Sequence, residues 1–391
     1  MYTLYGDGIH DDHPAIQERI DSGVCEVVLP VPKVKYVISQ PLRLPSNFRL
    51  VLPRYAEICL ADSANCVMVQ NKVVRKPASE DGAGSPLWFY TKVWSAAPED
   101  AACNIEIIGG IWNCNNMGQN PNPIQTRCFE PEGYTGFGMI FFNVSGLKLS
   151  SLTLKDPVNF GVTLDRVSYF TVEDITFDYN YGNPKPLNMD GIHINGNCHH
   201  GQIRNLRGAC YDDLVALNAD EGSGGPISHM EISHIFSEDC HSAVRMLTVR
   251  HSVEYIHISQ VHGTYYQYCI GLTKYYPGET VGHFDAIVLE NIYASKAERR
   301  EIYCKGNSRV YPLIWVQGNC RVGCLHIRNL QRRERQVEIE TVHIGKNTVV
   351  KRLVLEDIVT KHEKETGENM PLLVNLGSVE RLITRDLEEN M

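Results

Sequence analysis

From residue 147 onward the chain keeps returning to one pattern. A short stretch of alternating apolar and polar residues ends on a polar residue followed by Ile, Leu or Val. The stretches are L-K-L-S-S-L-T-L (147–154), Y-F-T-V-E-D-I-T-F (169–177), G-Q-I-R-N-L-R (201–207), H-M-E-I-S-H-I-F (229–236), Y-I-H-I-S-Q-V-H (255–262), D-A-I-V-L-E-N-I-Y (285–293), C-L-H-I-R-N-L-Q (324–331), R-L-V-L-E-D-I-V (352–359) and R-L-I-T-R-D-L-E (381–388). Their closing apolar residues are Leu152, Ile175, Leu206, Ile235, Val261, Ile292, Leu330, Ile358 and Leu387, so the interval runs from 23 (152 to 175) to 38 (292 to 330) residues. Period-two alternation and β-branched residues mark strands, and helical spacing is rare between them. Intervals this long do not make hairpins, whereas stacking each turn of chain on the next in parallel satisfies the backbone and builds a continuous interior. The pattern predicts an all-β fold, a right-handed parallel β-helix, running as a single domain over 1–391.

The first residues read differently. His13-Pro14-Ala15-Ile16-Gln17-Glu18-Arg19-Ile20 places apolar residues at helical spacing, with Asp11 or Asp12 as N-cap and Gly23 as the stop. Such a helix, in a cap region spanning 1–25, would cover the open end of the coil. Val27-Val28-Leu29, Tyr36-Val37-Ile38, Phe48-Arg49-Leu50-Val51-Leu52 and Ile58-Cys59-Leu60 read as opening strands of a coil that occupies about 26–391. Longer loops are expected near 73–101 and 113–137, where a rigid coil would wall a cleft.

Composition narrows the function. The hydrophobic fraction is 43%, the charged fraction 21% and the net charge −9, with no basic stripe, which argues against nucleic acid or an anionic membrane surface as partner. No apolar run reaches the length of a membrane span, and Met1-Tyr2-Thr3-Leu4-Tyr5 lacks the features of a secretory signal. With Met1 as the native start the expected location is the cytoplasm; a start trimmed of a signal would imply secretion or the periplasm. Thirteen cysteines without C-x-x-C spacing suggest reduced, mostly buried thiols rather than a disulfide framework or a zinc site.

Candidate chemistry concentrates between 188 and 274. Asp190 precedes the strand pattern Gly191-Ile192-His193-Ile194, and Asp212-Asp213 precedes Leu214-Val215-Ala216-Leu217. If these are neighbouring rungs, strands about 4.8 Å apart bring Asp190 and Asp213 within about 5–7 Å, with Asp212 beside them. Three carboxylates so close do not all ionise in their ordinary range, which divides them into a proton donor and ionised partners. A glycosidase needs that division. Each aspartate also has a structural reading as a turn residue. His193, Arg245 and Lys274 project from the same outward face, where they are expected to bind substrate, as is His241 at its edge. Asn195 and Asn218 end corresponding strands and suit a structural ladder. His199-His200 has no matched ligands, so no metal and no cofactor is expected. Tyr265-Tyr266 and Tyr275-Tyr276 flank the expected cleft as surfaces for sugar rings.

Two sets of residues bring a family into view. Gly6-Asp7-Gly8-Ile9-His10-Asp11-Asp12 ahead of an Ala-Ile-Gln helix resembles the N-terminus of many pectin-active β-helix proteins. Asn188-Met189-Asp190 followed by Asp212-Asp213 resembles the core of glycoside hydrolase family 28, the polygalacturonase family, whose motifs are N-T-D, D-D, G-H-G and R-I-K. Here N-T-D becomes N-M-D and D-D is intact, but G-H-G is reduced to Cys240-His241-Ser242 and R-I-K to Leu272-Thr273-Lys274. Residue parity puts Ser242, not His241, in the column of Asp213, and Arg245 could supply the missing guanidinium. The resemblance implies an inverting hydrolase with Asp212 as the acid and Asp190 and Asp213 activating water.

The expected substrate is a pectin-related or other uronic-acid or plant-type oligosaccharide, trimmed from its end, with Arg245 and Lys274 near a sugar carboxylate. A polysaccharide lyase on the same coil, with aspartate-bound calcium and Arg245 or Lys274 as base, is the first alternative. A non-catalytic carbohydrate-binding or tailspike-like fibre is the second.

Overall fold

A computed structural model describes residues 2–73, 100–126, 133–276, 278–298, 310–363 and 370–390. Its strands pair in parallel into one sheet of 16 strands and one of 11. Successive strands of each sheet come from successive turns of chain, giving the right-handed parallel β-helix expected from the repeat. Among the described residues no helix is long and apolar enough to cross a membrane.

The shorter strands stack as Val162–Asp165, Ile192–Asn195, Asp213–Asn218, Ser242–Leu247, Ile270–Thr273, Ile314–Val316 and Val342–Ile344. Their register brings Val162, Ile192, Val215, Val244, Ile270, Ile314 and Val342 into one inward column, all at most 1% exposed. Burying each such side chain contributes about 1.5–3 kcal/mol, so the column fixes the register of everything attached to it. One residue further on, the outward column reads Thr163, His193, Ala216, Arg245, Gly271, Trp315 and His343.

The other sheet explains the sequence repeat. Its strands, such as Ser168–Asp178, Ile227–Cys240 and Gly282–Lys296, run longer than the repeat segments. The polar residue before each closing aliphatic residue takes a left-handed backbone: Ser151, Asp174, Asn205, His234, Gln260, Asn291, Asn329, Asp357 and Asp386 all have φ between 47° and 62°. The repeat therefore marks a corner of the coil. Asn329 Nδ2 donates to Asn291 Oδ1 at 2.6 Å, and Ser151 and Asn205 donate to Asp174 from either side.

The helix His13–Ile20 forms as predicted and packs Ala15, Ile16 and Ile20 into the first rung. Asp12 occupies its N-cap position, but its carboxylate turns back to the amides of Tyr5 and Gly6 instead of capping. The loop expected at 73–101 lies almost wholly outside the described residues. The described part of 113–137 holds a 3-10 turn, Asn116–Gly118, and a short helix, Pro123–Thr126. Described cysteines are free thiols, most of them buried.

Candidate active site

The rung register assembles the aspartates. Ile192 pairs with Val215, so Asp190 and Asp213 occupy equivalent places two residues earlier, and Gly191 N donates to Asp213 O at 3.0 Å. Asp213 pairs with Ser242, which sets Asp212 level with His241, the parity read from the sequence. Asp190, Asp212, Asp213 and His241 are all at most 3% exposed. Carboxylate oxygens of Asp212 and Asp213 and a ring nitrogen of His241 lie within 4.8 Å of one another.

Each aspartate meets a different environment. Asp213 is buried, which opposes its charge, but Arg245 Nε lies 2.7 Å from Oδ2, His241 Nδ1 is 3.7 Å from Oδ1, and Ser242 Oγ donates to Oδ1. The Arg245 guanidinium, His241 and Ser242 together hold the Asp213 carboxyl well below the usual carboxylate range. Asp190 is pushed the other way. Burial, then the charge of Asp212, lifts it to about 6 despite a hydrogen bond from His193. Its Oδ2 is 2.6 Å from His193 Nδ1, and its Oδ1 accepts from the Asp213 amide at 3.1 Å. Asp212 Oδ1 is 3.5 Å from His241 Nδ1.

His193 is buried at 2% exposure rather than lining a groove. Its ring stacks on Phe160 with centroids 3.8 Å apart, and Nε2 reaches Asn195 Oδ1 at 3.1 Å and Glu221 Oε2 at 3.0 Å. Burial disfavours its charge, yet the Asp190 and Glu221 carboxylates outweigh burial and raise it to about 9, so His193 is a cation at neutral pH. Glu221 also accepts from Asn218 Nδ2 at 2.8 Å and from Tyr276 Oη at 2.6 Å. Asn195 and Asn218, expected as a structural ladder, therefore serve this network. Glu221 was not foreseen, because it lies beyond the strand end and only the fold returns it to His193. The one sequence signal was an acidic residue three positions after Asn218, at the start of a Gly-rich turn.

Arg245 stands at the edge of the patch, 12% exposed, its guanidinium carbon 5.9 Å from the centroid of the exposed Tyr275 ring. Burial opposes its charge, and the neighbouring Asp213 carboxylate more than restores it. Lys274 is buried, and its ammonium donates to the Gly278 carbonyl. Both predicted cations thus already have partners within the protein. Tyr265 and Tyr266 are fully buried and Tyr276 is half-buried, which leaves Tyr275 as the exposed one of the four flanking tyrosines. His200 sits in an external stack between Tyr169 and His229.

Asp212, Asp213 and His241 present three ligand atoms that a cation could use. Arg245 already places positive charge beside Asp213, which works against a second cation there. A hollow on the long sheet, lined among others by Phe284, Asp285 and Arg321, lies away from the carboxylates.

No protein-family profile matches the sequence, and no curated protein does. Solved structures do. The family 28 exopolygalacturonase of Yersinia enterocolitica aligns with TM-score 0.55 and 13% identity over 100% of this chain and 78% of that one. The endo-xylogalacturonan hydrolase of Aspergillus tubingensis aligns with TM-score 0.59 and 14% identity over 92% of each chain. A double-mutant tailspike of Escherichia coli bacteriophage HK620 aligns with TM-score 0.54 and 12% identity over 97% of this chain and 76% of that one. At these identities the likeness is one of fold.

Proposed function

We propose that this chain is a glycoside hydrolase whose acid/base machinery is Asp190, Asp212 and Asp213. The observation that carries this reading is the assembly of three buried carboxylates in one patch with His241 and Arg245. Several carboxylates side by side can supply the acid and the base that cleavage of a glycosidic bond requires. Asp213, held ionised by Arg245, and Asp190, whose two oxygens face His193 and the Asp213 amide, accept the proton of an attacking water. Asp212, on the turn beside His241, delivers a proton to the leaving oxygen. Water entering opposite the leaving group inverts the anomeric carbon. Two of the structurally similar proteins are named as hydrolases of galacturonan-type polymers, which supports the same chemical class by analogy of fold.

The lyase alternative is less well supported. Its base would be Arg245 or Lys274, and Arg245 is held charged by Asp213 while Lys274 donates to a backbone carbonyl.

A panel of oligosaccharides incubated with the protein tests the reading. New reducing ends, with inverted anomers seen first by NMR, are expected. An unsaturated product absorbing in the ultraviolet, or no cleavage of any glycan, would contradict it. The rate should fall about tenfold per pH unit as pH drops below about 6, where Asp190 takes up a proton and ceases to act as a base.

A further inference from the structure

The turn after Asn218 carries a carboxylate whose place is fixed from both sides. In Asn218-Ala219-Asp220-Glu221-Gly222, the Asp220 carboxylate accepts from the amides of Val249 and Arg250 on the next rung, at 2.6 and 3.0 Å. Gly222 has φ 58°, and a side chain there would collide with the Asp165 carboxylate. Between these two anchors Glu221 turns back against the coil and is 3% exposed. A carboxylate withdrawn from water this far is costly unless it is well partnered.

Its partners lie on two sides. Oε2 is 3.0 Å from His193 Nε2 and accepts from Asn218 Nδ2 at 2.8 Å, while Oε1 accepts from Tyr276 Oη at 2.6 Å. Burial opposes the Glu221 charge, but His193, Arg245 and Tyr276 hold it below its ordinary value. Across the imidazole, His193 Nδ1 is 2.6 Å from Asp190 Oδ2. The ring thus lies between two buried acids, one of them a proposed base. Phe160, stacked on its face, fixes the plane of the ring but not which edge meets Asp190. A half-turn within that plane would present carbon to both carboxylates.

We infer that Glu221 is a positioning residue for Asp190: by accepting from His193 Nε2–H it fixes the ring orientation in which Nδ1–H donates to the aspartate. The inference rests on the hydrolase reading for what Asp190 then does. Asn195 Oδ1 also lies 3.1 Å from Nε2, but it is a neutral acceptor, and a hydrogen bond to a carboxylate is the stronger of the two. Glu221 also brings the second negative charge that keeps the buried imidazole protonated. With Oδ2 held by His193 and Oδ1 by the Asp213 amide, Asp190 keeps one orientation. The segment that supplies Tyr276 also carries Tyr275 beside Arg245, the partner of Asp213. Amides of Lys274 and Tyr275 anchor it on Gln317 Oε1, each at 2.8 Å. Adjacent tyrosines on one short segment therefore reach both aspartates assigned to water activation.

The test begins with the native full-length protein. 15N NMR of the histidine rings, assigned through His193→Gln, should show protons on both His193 nitrogens at neutral pH and the loss of one near pH 9. A bare Nε2 at neutral pH would overturn the inference, because Glu221 would have nothing to accept. Glu221→Gln keeps the size and hydrogen-bonding groups of the side chain and removes its charge. In that variant the His193 midpoint should fall by at least about one pH unit. The alkaline limb of hydrolysis should move down with it, and at pH 8 kcat should drop at least about tenfold while KM stays within about threefold. A Glu221 that merely fills the turn would be replaced by Gln with the midpoint unmoved, and that result would overturn the inference, as would a limb that stays put while the midpoint falls. A lowered midpoint in a protein that cleaves no glycan would uphold the tie between Glu221 and His193 and sink the hydrolase reading; an unmoved midpoint in a protein that cleaves glycans would do the reverse.

Discussion

Two columns of polar residues climb this coil, and they do opposite things. One is the corner column from Ser151 to Asp386, where each residue adopts a left-handed backbone and several hydrogen-bond to the residue one rung away. The other is the column of Asp190, Asp213 and Ser242, with Asp212 and His241 alongside. In the first, neighbours play the same part at the coil's corner, and charges such as that of Asp174 are met by arginines at the surface, among them Arg54 and Arg207. In the second, neighbours are buried and given unequal proton affinity. Stacking polar side chains makes a turn; withdrawing them from water and giving each a different partner sets their proton affinities apart.

The largest expected separation between the columns is in activity. Asp212→Asn should lower hydrolysis by about 10³-fold or more while circular dichroism and thermal midpoint stay close to the parent. Asn291→Ala in the corner column should leave the rate within about twofold. A corner substitution that abolished activity, or an Asp212→Asn protein with near-normal turnover, would erase the distinction.

Both columns were partly legible in the chain. The corner column was visible because left-handed backbone favours Asn, Asp and a few other polar residues one step before a stacked aliphatic residue, and that pair recurs from Ser151-Leu152 to Asp386-Leu387. The register of Asp190 with Asp213, and of Asp213 with Ser242, followed from strand parity. What parity cannot give is which side chains a turn brings back. Glu221 reaches His193 only through the loop after Asn218, and that contact turns His193 from an expected groove residue into a buried tie on Asp190. Likewise, outward direction alone did not reveal that Asp213 occupies Arg245 or that Lys274 folds onto Gly278.

Next in size is a stability effect. Arg245→Ala leaves the Asp213 carboxylate buried without its cation, and breaking such a pair costs about 3–5 kcal/mol. Chemical denaturation at pH 7 measures it. A loss below about 1 kcal/mol, the range of an exposed pair, would make this ion pair no different from those on the corner face.

A smaller effect carries a pH signature. The folded protein raises His193 from 6.5 to about 9, so native His193 holds its proton more tightly than the unfolded chain does. Its contribution to stability is fully present below about pH 6.5 and is lost as pH rises through about 9. The stability gap between parent and His193→Gln should therefore be larger at pH 6.5 than at pH 9, by on the order of 2 kcal/mol. A gap that stays constant or widens with pH would contradict the buried imidazolium. The smallest effect belongs to the corner: Asn291→Ala should cost about 1 kcal/mol because alanine tolerates the left-handed backbone poorly, with Asn291→Gly recovering most of it.

The claim beneath all of this is that one buried patch gives neighbouring aspartates unequal proton affinity. Following aspartate side-chain carboxyl carbons by 13C NMR from pH 3 to 8, assigned through Asp190→Asn and Asp213→Asn, reads it directly. The account predicts that the signal lost in Asp190→Asn titrates near pH 6, while the one lost in Asp213→Asn stays ionised down to the acid end of the series. Both titrating together in the ordinary carboxylate range would contradict it.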